Sequence, residues 1–192
     1  WNVSKPKTES VNALVSGGYA PLVAMILAAR GIKTKDQAEQ YLGCSCRLPD
    51  PFLLTDMDIA AGRVGVAMTR GETIAVYGDY DVDGITAVAL MFSFLRTQTD
   101  NLIYYIPDRY KEGYGVSFEG IDKAEQEGCT LIVALDCGIK SVDKVAYATE
   151  KGIDFIVCDH HTPGEEIPKA VAVLNMKRTD CQYPYKELSG CG

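Results

Sequence analysis

From Glu72 to the end of the chain, short apolar runs rich in β-branched residues alternate with stretches of helical pattern, and no other feature constrains the fold as much. Strands are predicted at 73–77, 102–106, 131–135, 155–158 and 170–174, and helices at 85–98, 118–127 and 142–151. Ser117 and Ser141 are placed as helix N-caps, and Gly128 and Gly152 as helix stops. Strands that read as continuous apolar runs are covered on both faces. The pattern therefore predicts an α/β fold, a doubly wound, mainly parallel sheet flanked by helices. Residues 1–71 are expected to form a helical N-terminal lead-in ahead of a core at 72–192. That lead-in holds an apolar run closed by Gly31, a Thr34-capped segment ending at Gly43, and a helix from about Asp56 to Arg70 closed by Gly71.

Sheets of this kind bind ligands beyond the carboxyl ends of their strands. Here the strand at 73–77 runs into Asp79, the one at 131–135 into Asp136, and the one at 155–158 into Asp159, His160 and His161. Three separate strands thus deliver carboxylate or imidazole to one edge. The run Gly78-Asp79-Tyr80-Asp81-Val82-Asp83-Gly84 sets three carboxylates at alternate positions, which share one face if the backbone is extended. Two unit charges about 4 Å apart repel by roughly 4 kcal/mol at an effective dielectric near 20, so a divalent cation would turn a cost into binding. A calcium-loop reading fails at its last ligand position, where Leu90 stands in place of a bidentate Glu. A solvated acidic turn is the plain alternative for this run taken alone.

Asp136 alone is a weak signal, since loops of α/β folds often carry an Asp as a turn former. Asp159-His160-His161 is stronger, because it holds both histidines of the chain behind an acid at a strand end. Two basic stretches, Pro107 to Lys111 followed by Gly113-Tyr114-Gly115, and Asn175 to Arg178 with Lys186, could face an anionic substrate or be solvated surface. No P-loop pattern is present.

Composition adds limits. The net charge of -7 argues against a broad basic nucleic-acid face, although five acids fall in the candidate metal motifs and bound cations would offset them. The longest apolar stretch, 21–29, is too short to cross a bilayer and reads as a buried helix, so no membrane partner is expected. Of the seven cysteines only Cys44 and Cys46 sit close, without zinc-site spacing, which fits reduced thiols in a cytoplasmic protein.

Taken together, Asp79 to Gly84, Asp136 and Asp159-His160-His161 resemble the motifs of the DHH phosphoesterase superfamily. The segments IPDRYKEGYG (106–115) and VLNMKRTDCQYPYKELSGCG (173–192) resemble its RecJ branch. The resemblance implies a site for two divalent cations, Mn2+ or Mg2+. Asp136 would bridge them, Asp81 would hold one, and Asp83 with His160 the other. Asp79 and Asp159 would support these ligands, His161 would contact the scissile phosphate, and Arg109 would be a phosphate contact. Asp136, His160 and His161 are thereby the expected catalytic residues. The implied activity is 5′→3′ exonuclease hydrolysis of single-stranded DNA in recombination and repair. A phosphodiesterase of short oligonucleotides or cyclic dinucleotides is the nearest alternative, and a non-catalytic nucleic-acid or protein binding module is another. Tyr77 stands where the small-molecule branch often has His, which weighs against a pyrophosphatase, and the RecJ-like tail weighs against the phosphodiesterase. The family's further ligand Asp and second domain lie downstream of the Gly-rich turn at 188–192, so the chain is expected to be a C-terminally truncated core. No helicase or single-strand-binding protein partner can be read from the sequence.

Overall fold

The computed structural model describes residues 5–43 and 49–192, so Cys44 and Cys46 lie outside the described residues. The chain divides into two compact units, Trp1–Leu48 and Pro49–Gly192.

The described part of the first unit holds helices α1 (Thr8–Ser16), α2 (Pro21–Ala29) and α3 (Lys35–Leu42). Gly18 breaks the chain between α1 and α2 with a φ of 100°, and the Thr34 hydroxyl caps α3 by accepting from the Gln37 N–H. Leu14, Ala24, Leu27, Ile32 and Ala38 form its core. The expectation of a buried helix at 21–29 needs correction. The helix forms, but only Ala24 and Leu27 are buried, and Leu22 is 69% exposed. The two other short helices cover only one stripe of α2, whose apolar surface runs all round.

In the second unit, α4 (Met57–Arg70) precedes a sheet of β1 (Thr73–Gly78), β2 (Leu102–Tyr105), β3 (Cys129–Leu135), β4 (Asp154–Cys158) and β5 (Ala172–Leu174). Helices α5 (Val82–Leu95), α6 (Phe118–Gln126) and α7 (Val142–Glu150) connect the strands. Strand order is β2-β1-β3-β4-β5, with every pairing parallel. Successive strand residues point to opposite faces. Tyr77, Ile132, Ala134, Phe155 and Val157 pack under α6 and α7, whereas Ile74, Val76, Val133 and Ile156 pack under α4 and α5. This is the predicted doubly wound α/β architecture. Because α4 buries Ala60 and Ala67 against the sheet, it shares a unit with the strands, and that unit begins at Pro49, ahead of the expected division at 71–72.

The order reverses between β1 and β3. Such a switch point opens a crevice at the carboxyl ends of the two strands, since their following connections leave in opposite directions.

Candidate metal centre

The acidic run does not stay extended. The Asp81 carboxylate accepts from the backbone N–H groups of Asp83 (2.9 Å) and Gly84 (3.0 Å), capping α5, which begins at Val82. Asp83 therefore sits in the first helical turn, and the expectation that three carboxylates share one face gives way to a split. Asp79, Asp81 and Asp136 each bring an oxygen within 4.8 Å of the others, whereas Asp83 approaches His160 at 3.9 Å. A glycine is required at 84, where a Cβ would collide with the Asp79 backbone.

Asp136 follows β3 directly and is 1% exposed, with a left-handed backbone (φ 60°) that a non-glycine residue adopts at some cost. His160 Nε2 lies 3.2 Å from its Oδ1. Neither Asp136 oxygen has a hydrogen-bond partner, and neither does Oδ2 of the fully buried Asp79. Burial, and then the charges of Asp83 and Asp81, push the Asp136 carboxyl up to about 7. Burial also raises Asp79, while the Gly84 N–H bond holds Asp81 below its ordinary value.

The two histidines are held differently. The His160 Nδ1 lies 3.0 Å from the Leu188 carbonyl oxygen, an acceptor, so this nitrogen carries the proton and Nε2 is left facing Asp136 and Asp83. The His161 Nδ1 donates instead to Asp159 Oδ1 at 2.7 Å. Asp159 is buried, and its carboxylate also accepts from the backbone N–H groups of Ile139, His160 and His161. Its role is thus to brace the loop and aim His161. Asn175, also buried, donates to the His161 carbonyl.

Two further segments close on the cluster. The backbone N–H groups of Gly190 (2.6 Å) and Cys191 (2.8 Å) donate to the Asp83 carboxylate. A Cβ at 190 would strike Asp136, so only glycine passes there. On the other side, the loop after β2 is pinned by the buried Tyr77 hydroxyl, which donates to Gly115 O and accepts from the Ser117 N–H. That loop presents Tyr114, whose hydroxyl lies 3.0 Å from His161 Nε2.

All seven predicted acids and histidines thus gather at the carboxyl edge of the sheet. Arg109 does not join them. Its guanidinium lies over the Tyr80 ring, 5.2 Å from the centroid, and Tyr80 meets Tyr114 edge-on. The second basic stretch is engaged internally. Arg178 bonds to Asp56, Asp180 and the Val173 carbonyl, and Lys186 to the Cys181 carbonyl. Sequence reasoning missed the contacts of Leu188, Gly190 and Cys191 with the site. Its only signal for them was the Gly-rich turn itself.

Buried carboxylates with orphaned oxygens, facing an imidazole nitrogen left as an acceptor, lack a positive charge that only a cation or protons can supply. The donor set, oxygen with one or two imidazoles, suits Mg2+ or Mn2+ and contains no thiolate.

The chain resembles known proteins along its whole length. A family model described as DHH family, N-terminal domain, matches residues 73–192. The chain is 38% identical over 194 residues to the single-stranded-DNA-specific exonuclease RecJ of Bacillus subtilis (strain 168), covering 100% of this chain and 25% of that protein. It is 39% identical over 173 residues to the protein of the same name from Salmonella typhimurium, covering 90% of this chain and 30% of that one. Among solved structures it resembles exonuclease RecJ bound to manganese, with a TM-score of 0.65 and 33% identity over 72% of this chain and 35% of that chain. It also resembles RecJ in complex with Mn2+ from Thermus thermophilus, with a TM-score of 0.71 and 26% identity over 98% of this chain and 26% of that chain. The chain spans 25% to 30% of the length of these two curated relatives.

Proposed function

The chain belongs to the DHH family, and we propose that it forms the metal-holding part of an exonuclease that hydrolyses single-stranded DNA from its 5′ end. The observation that carries this reading is the pair of unpartnered oxygens on buried Asp136, at the switch point of the sheet and facing Asp81, Asp83 and His160. The names of the relatives supply the substrate class, and their manganese-bound structures the metal class.

In this reading two Mn2+ or Mg2+ ions would be held by Asp136, shared between them, with Asp81 on one side and Asp83 and His160 on the other. Asp79, which brings an oxygen within 4.8 Å of Asp81 and Asp136 and whose Oδ2 has no partner, is in this reading a donor in its own right as well as a support. When bound, the cations supply a water of lowered pKa and positive charge against the phosphoryl oxygens. The protein's own part is orientation. The Leu188 carbonyl keeps His160 Nε2 turned inward, and Asp159 keeps His161 Nε2 turned toward the open side, where a scissile phosphate would lie. Arg109, stacked on Tyr80 beside that opening, is a phosphate contact for the same strand. A cytoplasmic setting on DNA follows from this reading.

The test is manganese-dependent shortening of a 5′-labelled single strand, lost in Asp81→Ala and Asp136→Ala. Unchanged hydrolysis in both variants would sink the metal assignment. Hydrolysis of dinucleotides without attack on longer strands would replace the exonuclease reading by the oligonucleotide phosphodiesterase.

A further inference from the structure

The outer rim of the site carries a contact that the proposed chemistry does not use. His161 is fixed from behind by Asp159 at 2.7 Å, and its Nε2 is engaged in front by the Tyr114 hydroxyl at 3.0 Å. With Nδ1 donating to Asp159, Nε2 is an acceptor, so the Tyr114 hydroxyl donates to that nitrogen. The Tyr114 side chain, unlike the backbone that follows it, is open to solvent. The residue is 56% exposed, it lies between Gly113 (φ 84°) and Gly115 (φ 81°), and its ring touches Tyr80 and His161 only edge-on. One ring atom of His161 is thus anchored to a buried carboxylate, and the other to a group that water can reach.

We propose that the Tyr114 hydroxyl is a placeholder for a substrate phosphoryl oxygen on His161. It positions the imidazole in the nucleotide-free protein and is displaced when a phosphate arrives. The inference rests on the reading above, in which His161 meets the phosphate. Tyr114 is accordingly a positioning residue, and its hydroxyl competes with the ligand. Removing it lowers the cost of binding by about one exposed hydrogen bond, whereas a tyrosine that bound the phosphate directly would weaken binding when truncated.

Titration calorimetry of thymidine 5′-monophosphate in the presence of Mn2+ separates these cases. Tyr114→Phe keeps the ring and is expected to bind the nucleotide roughly three- to tenfold tighter than the unmodified protein. His161→Ala is expected to bind more weakly, and the double variant to match His161→Ala, because the placeholder acts only through that ring. Unchanged or weaker binding in Tyr114→Phe overturns the proposal, as does the same tightening in the His161→Ala background. Manganese-dependent hydrolysis of a single strand by the unmodified protein, measured in parallel, tells the two ideas apart. Intact hydrolysis without the tightening removes the placeholder alone. Loss of both hydrolysis and nucleotide binding in the unmodified protein removes the placeholder and the exonuclease reading together.

Discussion

The two ends of the same sheet treat charge in opposite ways. At the amino end, Arg63 reaches from α4 to Glu72 (2.7 Å) and Asp154 (2.6 Å), and the Thr130 hydroxyl donates to the same Glu72 oxygen. Only one guanidinium nitrogen there, Nη1, lacks a partner. At the carboxyl end, Asp79 and Asp136 are more deeply buried, yet three of their four carboxylate oxygens have no partner. Both ends sit on the same strands and both are acidic. Charge that only serves the fold is neutralised by the chain itself, whereas charge held in reserve for a ligand is left open at a cost in stability. That contrast is the structural ground on which the cluster at the carboxyl end is proposed as a metal site, and motif spacing alone does not supply it.

The largest expected effect tests the open end. Asp136→Asn keeps a side chain that tolerates the left-handed backbone and removes one buried negative charge. Under the proposed function, single-strand hydrolysis should fall at least about a hundredfold, the scale for losing one main electrostatic group in a catalytic site. Thermal stability without metal should stay level or rise, because Asp81 and Asp83 lose a repulsive neighbour. A melting temperature that falls sharply would mean that Asp136 serves the fold, and the contrast between the ends would collapse.

The matching change at the closed end is Arg63→Met. It leaves Asp154 without a cation and Glu72 with only Arg70, 3.9 Å away, and should cost about 2–3 kcal/mol in denaturant unfolding, below the fully buried case because Asp154 is partly open to water. Mn2+ affinity should not move, since the network lies at the far end of the strands from Asp136.

Acid and base should act on the two ends with opposite sign. The Thr130 hydroxyl and Arg63 hold the Glu72 carboxyl below its ordinary value, so its contribution is present above the unfolded pKa and is lost as the pH falls through the folded one. Asp136 is the reverse. Its folded pKa of about 7 lies above the value near 3.9 of an unfolded chain, so the folded protein holds a proton that the unfolded chain has released. Metal-free stability should therefore decline between about pH 4 and pH 7 and flatten above. Melting curves across this range should show the decline, and its absence in Asp136→Asn. Added Mn2+ should stabilise most at the upper end, where no proton competes for the carboxylate.

Much of this is legible in the sequence. Continuous apolar strands between capped helices marked out the parallel sheet, and each acid behind a strand was bound to reach its carboxyl edge. What could not be read was direction. Whether Asp83 continued the strand or turned onto a helix depended on Asp81 capping α5, a local competition between an extended run and an Asx cap. That His160 leans on the Leu188 carbonyl follows from a contact spanning 28 residues, which no local pattern encodes, whereas the bond from His161 to Asp159 is local. The buried reading of 21–29 failed for a related reason, because an apolar helix does not specify how much neighbouring surface covers it.

The smallest expected effect probes the part of the upper end that is fully satisfied. The Tyr77 hydroxyl serves Gly115 O and both the N–H and the hydroxyl of Ser117, so it belongs with the compensated groups although it stands two residues from Asp79. Tyr77→Phe should cost about 1–2 kcal/mol, the penalty of stranding buried backbone partners. It should leave the stability decline between about pH 4 and pH 7 unchanged, because the carboxylates keep their surroundings. Equilibrium unfolding at two pH values checks both statements. If the decline instead shifted with Tyr77→Phe, the loop it pins would be setting the charge environment of Asp79 and Asp136. The boundary between fold and site would then run through the 113–117 loop rather than at the ends of the strands.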